Sequence, residues 1–181
     1  FIKGLESGGV APVVKHIPGH GRAEVDSHLA LPKIEAELTT LKKSDFIPFV
    51  DLNDSPAAMT GHLLFDKIDS IKPVTISPNI IDHIIREYIG FHGLLISDDI
   101  SMAALTGDLS LIAKNALSAG CDIVLHCNGN LSEMKKIVNK NQVLGVKPKK
   151  RAEEFLINLI KLKKQKKDID YITTLKSFDH N

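Results

Sequence analysis

The sequence contains no tryptophan, two cysteines and only 5% aromatic residues among 181. The aromatic interleaving that single-stranded nucleic acid binding needs is absent, so stacked bases are not the expected ligand. Cys121 and Cys127 stand in one strand-like run. Six extended residues cover roughly 20 Å, beyond the reach of a disulfide, so both thiols are expected to be reduced core residues in a reducing compartment. No apolar run approaches the ~20 residues that span a bilayer, and the first residues lack the basic-then-apolar shape of a signal peptide. The expectation is a cytoplasmic chain with no membrane span. His-Glu-x-x-His, Cys-x-x-Cys, Gly-x-x-x-x-Gly-Lys-Ser/Thr and Gly-x-Ser-x-Gly are all missing, and with them the commonest zinc, phosphate-loop and serine-hydrolase signatures.

Net charge is also small, +1, but it is unevenly placed. Residues 1–146 carry 13 Lys/Arg against 17 Asp/Glu, whereas residues 147–181 carry 10 against 5. The first part has the balance of an enzyme body, and the second reads as a basic amphipathic helix and tail. There, Phe155, Leu156, Leu159, Ile160 and Leu162 lie among lysines. Such a helix is expected to pack its apolar stripe on the body and leave its lysines in water. Nucleic-acid or anionic-membrane binding is the less favoured reading.

What is present is concentrated. Lys15 to Ser27, followed by His28, holds three of the eight histidines, a proline, Gly19 and Gly21, and an Asp-x-His pair. Pro18 lacks an amide donor and the glycines tolerate positive φ, so neither helix nor ladder strand should cross the segment. It reads as a loop fed by an apolar strand, a frequent seat of reactive side chains.

The rest alternates. Strands are expected at Val10 to His16, Ala57 to Phe65, Gly93 to Ser97 and Cys121 to Cys127. Helices follow at Ile34 to Lys43, from Ser77-Pro78 to Gly90, at Leu109 to Ala119 and at Leu131 to Asn139. Continuous apolar strands separated by helices predict a parallel sheet, either an open doubly wound one or part of a (β/α)8 barrel. In both, functional groups gather at the C-terminal strand ends. The histidine loop, His62, Asp98 and His126 all fall there.

Three constellations carry chemistry. His16, His20, Asp26 and His28 are acceptable metal ligands, but Pro18 and the glycines deny the first two a helical presentation. A metal-dependent hydrolase using this loop stays as an alternative. Asp26 and His28, two apart in an extended loop, point the same way. The carboxylate can then orient the imidazole and leave its other nitrogen to move a proton, although a local turn with a surface histidine would look the same. Asp98 and Asp99 close a buried strand and face opposite ways, one toward the mouth and the other toward a cap of the next helix. A mouth carboxylate opposite an acid on another loop is the layout of a retaining glycosidase.

Lys15-His16-Ile17-Pro18-Gly19-His20-Gly21 with Asp26-Ser27-His28 resembles the signature loop of family 3 glycoside hydrolases of the bacterial β-N-acetylglucosaminidase (β-hexosaminidase) type. Met59-Thr60-Gly61-His62, Ile96-Ser97-Asp98-Asp99-Ile100-Ser101-Met102 and Ala119-Gly120-Cys121-Asp122 resemble further family blocks in the same order. Family members usually have Phe at the position of Ile17 and often Ala at that of Gly61. The resemblance implies a (β/α)8 barrel of which this chain is about the second half, four βα units over residues 1–146. It implies that Asp98 is the nucleophile of a covalent glycosyl-enzyme and that His28, oriented by Asp26, is the acid/base. Lys15 and His16 then bind N-acetylglucosamine hydroxyls, and no metal or organic cofactor is needed. The implied reaction removes terminal β-linked N-acetylglucosamine from peptidoglycan-derived muropeptides or chitobiose-like sugars. A full barrel takes about 250 residues, so a missing N-terminal half or self-association is expected. The alternative is an inactive truncated remnant or a half-barrel subunit without independent catalysis.

Overall fold

The computed structural model describes residues 1–140 and 144–165. In chain order these form α1 (Ile2–Ser7), β1 (Val13–Ile17), β2 (Lys33–Ile34), α2 (Leu38–Lys43), α3 (Ile47–Val50), β3 (Ala57–Thr60) and β4 (Leu64–Phe65). A 3-10 turn (Val74–Ile76), a π-helical segment (Ile80–Tyr88), β5 (Leu94–Asp99), α4 (Leu109–Ala119), β6 (Ile123–Leu125), α5 (Leu131–Lys140) and α6 (Val146–Gln165) follow.

The main sheet has four parallel strands in the order β1-β3-β5-β6. Its two faces differ. Val14, Ala58, Leu95 and Val124 point into the main core, where the π-helical segment contributes Ile80, Ile81, Ile84 and Ile85. Lys15, Met59, Ile96 and Ile123 stand in one registered row on the other face, and all four keep solvent exposure. Successive strand residues alternate faces, so one side is a finished helix-covered layer and the other an uncovered interior. That is half of a (β/α)8 barrel, with β1 and β6 as its edges.

Helix boundaries follow their local chemistry. The Ser77 hydroxyl accepts the Ile80 amide at 3.1 Å and donates to Asp69 Oδ2 at 2.6 Å, so it starts the π-helical segment as expected. Asp108 caps α4 through the Leu111 amide, and Gly120 ends it at φ 116°, in the left-handed region that favours glycine. Three expectations are corrected. Ile34 does not open a helix. It is buried in β2, which pairs parallel with β4, and the helix starts only at Leu38; burial of Ile34 overrides its neighbours' helix propensity. The strand expected through Phe65 stops at Thr60, and the bend Gly61-His62-Leu63 carries His62 into the protein before β4 begins. Cys127 is also exposed rather than a core residue. Cys121 is buried, and burial pushes its thiol up to about 12.

In α6, Arg151, Ala152, Phe155, Asn158, Leu159 and Leu162 are half-buried at helical spacing, while Leu156, Ile157 and Ile160 stay more than half exposed. The helix touches β5 and α1. Its anchor is polar: Asp122, 1% exposed, accepts Arg151 at 2.8 Å on one oxygen. The other oxygen accepts Arg86 at 3.0 Å and the Leu95 amide at 2.9 Å. Residues 166–181, the tail of the basic stretch, lie outside the described residues.

Candidate active site

The C-terminal strand ends collect the expected groups. Asp98 is the next residue after Ile96 on the open face of β5. Its Oδ1 accepts the Asp99 amide at 2.8 Å, and its Oδ2 lies 3.3 Å from His16 Nε2. His16 arrives there from β1, whose register slips between Lys15 and Ile17. Burial lowers the His16 pKa below its ordinary value, although Asp98 pulls the other way. Near neutral pH His16 is therefore a neutral ring beside the carboxylate rather than its counter-ion. The His16 and His20 rings sit 5.5 Å apart. Gly61 makes room for both, because a Cβ there would meet His16 Cβ at 3.1 Å and His20 Cδ2 at 3.4 Å.

Asp99 turns away from the mouth, as strand alternation requires. Its Oδ1 accepts the Ser101 amide, the Ser101 hydroxyl and the Cys127 amide at 2.8–3.0 Å, and the Ser101 hydroxyl also reaches Oδ2. Burial alone would raise its pKa, but these donors outweigh it and hold the carboxyl below the usual range. It does not cap α4, a task taken by Asp108. Asp99 is a structural anion that ties the end of β5 to the end of β6.

Asp26 and His28 combine both of their expected readings. Asp26 Oδ1 accepts the His28 amide at 2.9 Å, an Asx turn, and the same oxygen contacts His28 Nδ1 at 2.8 Å. The His28 amide, then its ring, lowers the Asp26 pKa. With Nδ1 so engaged, Nε2 is the nitrogen available to a substrate. The pair is exposed, but Ser27 between them is buried, and its carbonyl accepts the Ala104 amide at 3.3 Å. The histidine loop is thereby fastened to the segment that follows Asp98. Lys15 is exposed on the open face of the sheet.

Among the described residues, no group of three His, Cys, Asp or Glu side chains is arranged to hold a metal ion. His126, at the end of β6, faces Glu133 at 2.9 Å rather than the mouth. The groups that sequence reasoning left without a role are His62 and Thr75. His62 was visible as a histidine at a strand end, whereas nothing local singles out Thr75, which meets it only through the fold.

A family model, the glycosyl hydrolase family 3 N-terminal domain, matches residues 1–153. The chain belongs to glycosyl hydrolase family 3. A β-hexosaminidase from Methylobacillus flagellatus is 40% identical to it over 132 residues, 71% of this chain and 38% of the relative. One from Psychromonas ingrahamii is 34% identical over 171 residues, 92% of this chain and 49% of the relative. The family 3 chain thus spans well under two thirds of either relative. Among solved structures, NagZ from Neisseria gonorrhoeae in complex with N-trifluoroacetyl-D-glucosamine superposes with a TM-score of 0.74 at 29% identity. The match covers 91% of this chain and 54% of that one. The β-N-acetylglucosaminidase from Thermotoga maritima gives 0.67 at 31% identity, covering 98% and 40%.

Proposed function

We propose that the chain is the part of a retaining β-N-acetylglucosaminidase that carries both the nucleophile and the acid/base. The observation that carries this reading is Asp98, held by its own neighbour's amide beside the His16 ring, together with an oriented Asp26–His28 pair on a loop fastened to the segment that follows it. In the reaction, an Asp98 oxygen attacks the anomeric carbon as the bond to the leaving oxygen breaks. His28 Nε2 gives that oxygen its proton, so a glycosyl ester on Asp98 and a free alcohol result. Water then attacks the same carbon, His28 takes its proton back, and Asp98 leaves as carboxylate. Lys15 and His16 bind the sugar hydroxyls. No metal or organic cofactor is called on.

The substrate is a terminal β-linked N-acetylglucosamine on a muropeptide or chitobiose-like sugar. The place is cytoplasmic recycling of cell-wall fragments. The β-hexosaminidase names of the relatives and the N-trifluoroacetyl-D-glucosamine bound by one of them support the sugar. We divide the chain into the catalytic half-barrel, 1–146, and the basic helix and tail, 147–181. The natural partner of the first is the set of βα units that closes the barrel.

The deciding experiment treats the completed barrel, this chain continuous with those units, with a slow fluorinated N-acetylglucosamine donor and maps the adduct by peptide mass spectrometry. The label should sit on Asp98; a label on Asp99 refutes the assignment.

The open sheet face favours one further reading, a half-barrel subunit without catalysis of its own. Positioning supplies about 7–11 kcal/mol of a barrier, and half a mouth cannot supply it. Expressed by itself, the 181-residue chain is expected to release no aryl alcohol from aryl N-acetylglucosaminides above background. Steady-state turnover by a monodisperse monomer would contradict this.

His28→Ala in the completed barrel should reduce hydrolysis of natural disaccharides by on the order of 10²–10⁴-fold. Aryl glycosides with acidic leaving groups need little protonation and should lose far less in glycosylation. Asp26→Asn should show a milder form of the same split. Equal losses on both substrates, measured as kcat/KM, would make the pair structural.

A further inference from the structure

His62 is 0% exposed, so both of its ring nitrogens must be accounted for inside the protein. Nε2 lies 2.9 Å from the Asp99 carbonyl oxygen. A carbonyl has no proton to give, so Nε2 carries it and donates. Nδ1 lies 2.8 Å from the Thr75 hydroxyl, which in turn lies 2.9 Å from the Thr60 hydroxyl. In a neutral ring Nδ1 accepts, so Thr75 donates to it and Thr60 donates to Thr75. The Gly61 carbonyl is a second acceptor for the Thr75 hydroxyl, but at 3.4 Å it is much the longer contact, so the 2.8 Å bond to Nδ1 is the one a neutral ring takes. An imidazolium would reverse the His62–Thr75 bond and push the Thr75 proton onto the longer contact to the Gly61 carbonyl. Burial opposes that and pushes the His62 pKa down, with His20 acting the same way, against the pull of the Asp99 carbonyl and of Asp98 and Asp99.

The bond matters because of what Asp99 does. Its amide is the donor to Asp98 Oδ1, its carboxylate is pinned by Ser101 and Cys127, and its carbonyl accepts the Met102 amide at 3.1 Å and, at a shorter 2.9 Å, the His62 ring. Fixing the carboxylate and carbonyl of one residue fixes its backbone, and with it the direction of the amide that holds Asp98. We propose that His62 is a positioning residue for the Asp98 carboxylate, working as a neutral ring with its proton on Nε2, its tautomer set by a Thr60–Thr75 hydroxyl relay. This rests on the reading of Asp98 as nucleophile.

The test has a spectroscopic arm on the 181-residue chain and a kinetic arm on the completed barrel. Long-range proton–nitrogen correlation of 15N-histidine-labelled chain should show His62 as the Nε2–H tautomer, with no protonation between pH 6 and 8. Thr75→Val, close in volume but without the donor, should move the Nδ1 resonance and leave the melting profile cooperative. The 13C shift of the Asp98 carboxylate should change in His62→Leu and return in His62→Gln, which restores a donor. In the completed barrel His62→Leu should lower kcat by on the order of 10²-fold, the cost of a nucleophile misplaced by about 1 Å. KM should stay nearly constant and His62→Gln should recover most of the rate. An Nδ1–H tautomer, an imidazolium at pH 7, or a folded His62→Leu with an unchanged Asp98 resonance overturns the proposal. Adduct mapping judges the nucleophile reading separately, because the tautomer and the carboxylate shift do not depend on turnover.

Discussion

Asp98→Asn in the completed barrel is expected to lower turnover by on the order of 10⁴–10⁶-fold, the range in which loss of a covalent nucleophile falls. Asparagine is nearly isosteric, and its side-chain oxygen can still accept the Asp99 amide that now holds Oδ1. The Asp98 side chain is 17% exposed and its other contact is His16, so no buried network breaks. What disappears is the charge and the electron pair that form the bond to the anomeric carbon. Burial keeps His16 from serving as a permanent counter-ion, so on the proposed role the carboxylate would attack from beside a neutral ring and a backbone amide rather than from a salt bridge that would blunt it. Steady-state rates on an aryl N-acetylglucosaminide, with circular dichroism melting to confirm an intact fold, check the prediction. A folded Asp98→Asn variant with near-normal kcat would end the case for a covalent intermediate on this residue.

The second large effect is on stability. Asp122→Ala should destabilise the protein by about 3–5 kcal/mol, the usual cost of removing one partner from a buried charge network. Two guanidiniums depend on this single carboxylate. The side chains of Arg86 and Arg151 are 11% and 22% exposed against 1% for Asp122, so neither can recover full hydration when the anion goes. Arg86 would keep its bonds to the Phe91 and Gly93 carbonyls, but the Leu95 amide would lose its acceptor. For a chain of this size the loss corresponds to a melting-point drop of roughly 10 °C. Asp122→Asn, which keeps an acceptor but not the charge, should fall between. Thermal melts at low and moderate salt check both. An Asp122→Ala variant that melts with the parent would mean that α6 is held by its apolar face instead.

The alternation of strand and helix was legible because strands that a closed barrel covers on both faces carry continuous apolar runs such as Leu94-Leu95-Ile96, and because caps are local: Ser77, Asp108 and Gly120 act within about one turn of where they stand. The barrel type and the roles of Lys15, His16, Asp26, His28 and Asp98 came from the resemblance. Distances could only add which oxygen or nitrogen faces which. Ile34 defeated the periodicity because its partner, Phe65, lies in a strand thirty residues on. The anchoring of α6 was equally hidden, since Arg151 reads as one more solvated cation until Asp122 is placed beneath it. Asp99 shows the limit most clearly. Alternation assigned it correctly away from the mouth, but its three donors come from Ser101 and from the end of another strand.

The two edges of the main sheet, β1 and β6, are both parallel and, among the described residues, have no further strand beside them, and this sets the geometry of self-association for the segment on its own. Joining β6 of one copy to β1 of the next is a heterologous contact, since the two surfaces differ. Contacts of that kind either close into a ring or continue without end. Two copies would bring eight strands, the number at which a barrel interior is just filled by side chains. Closure at two therefore gives a finite, soluble particle. A rotation that closes at three or more copies gives a wider ring, and one that never closes leaves an edge open at each end and grows a filament. The angle between neighbouring copies, rather than the strength of the contact, decides among these outcomes.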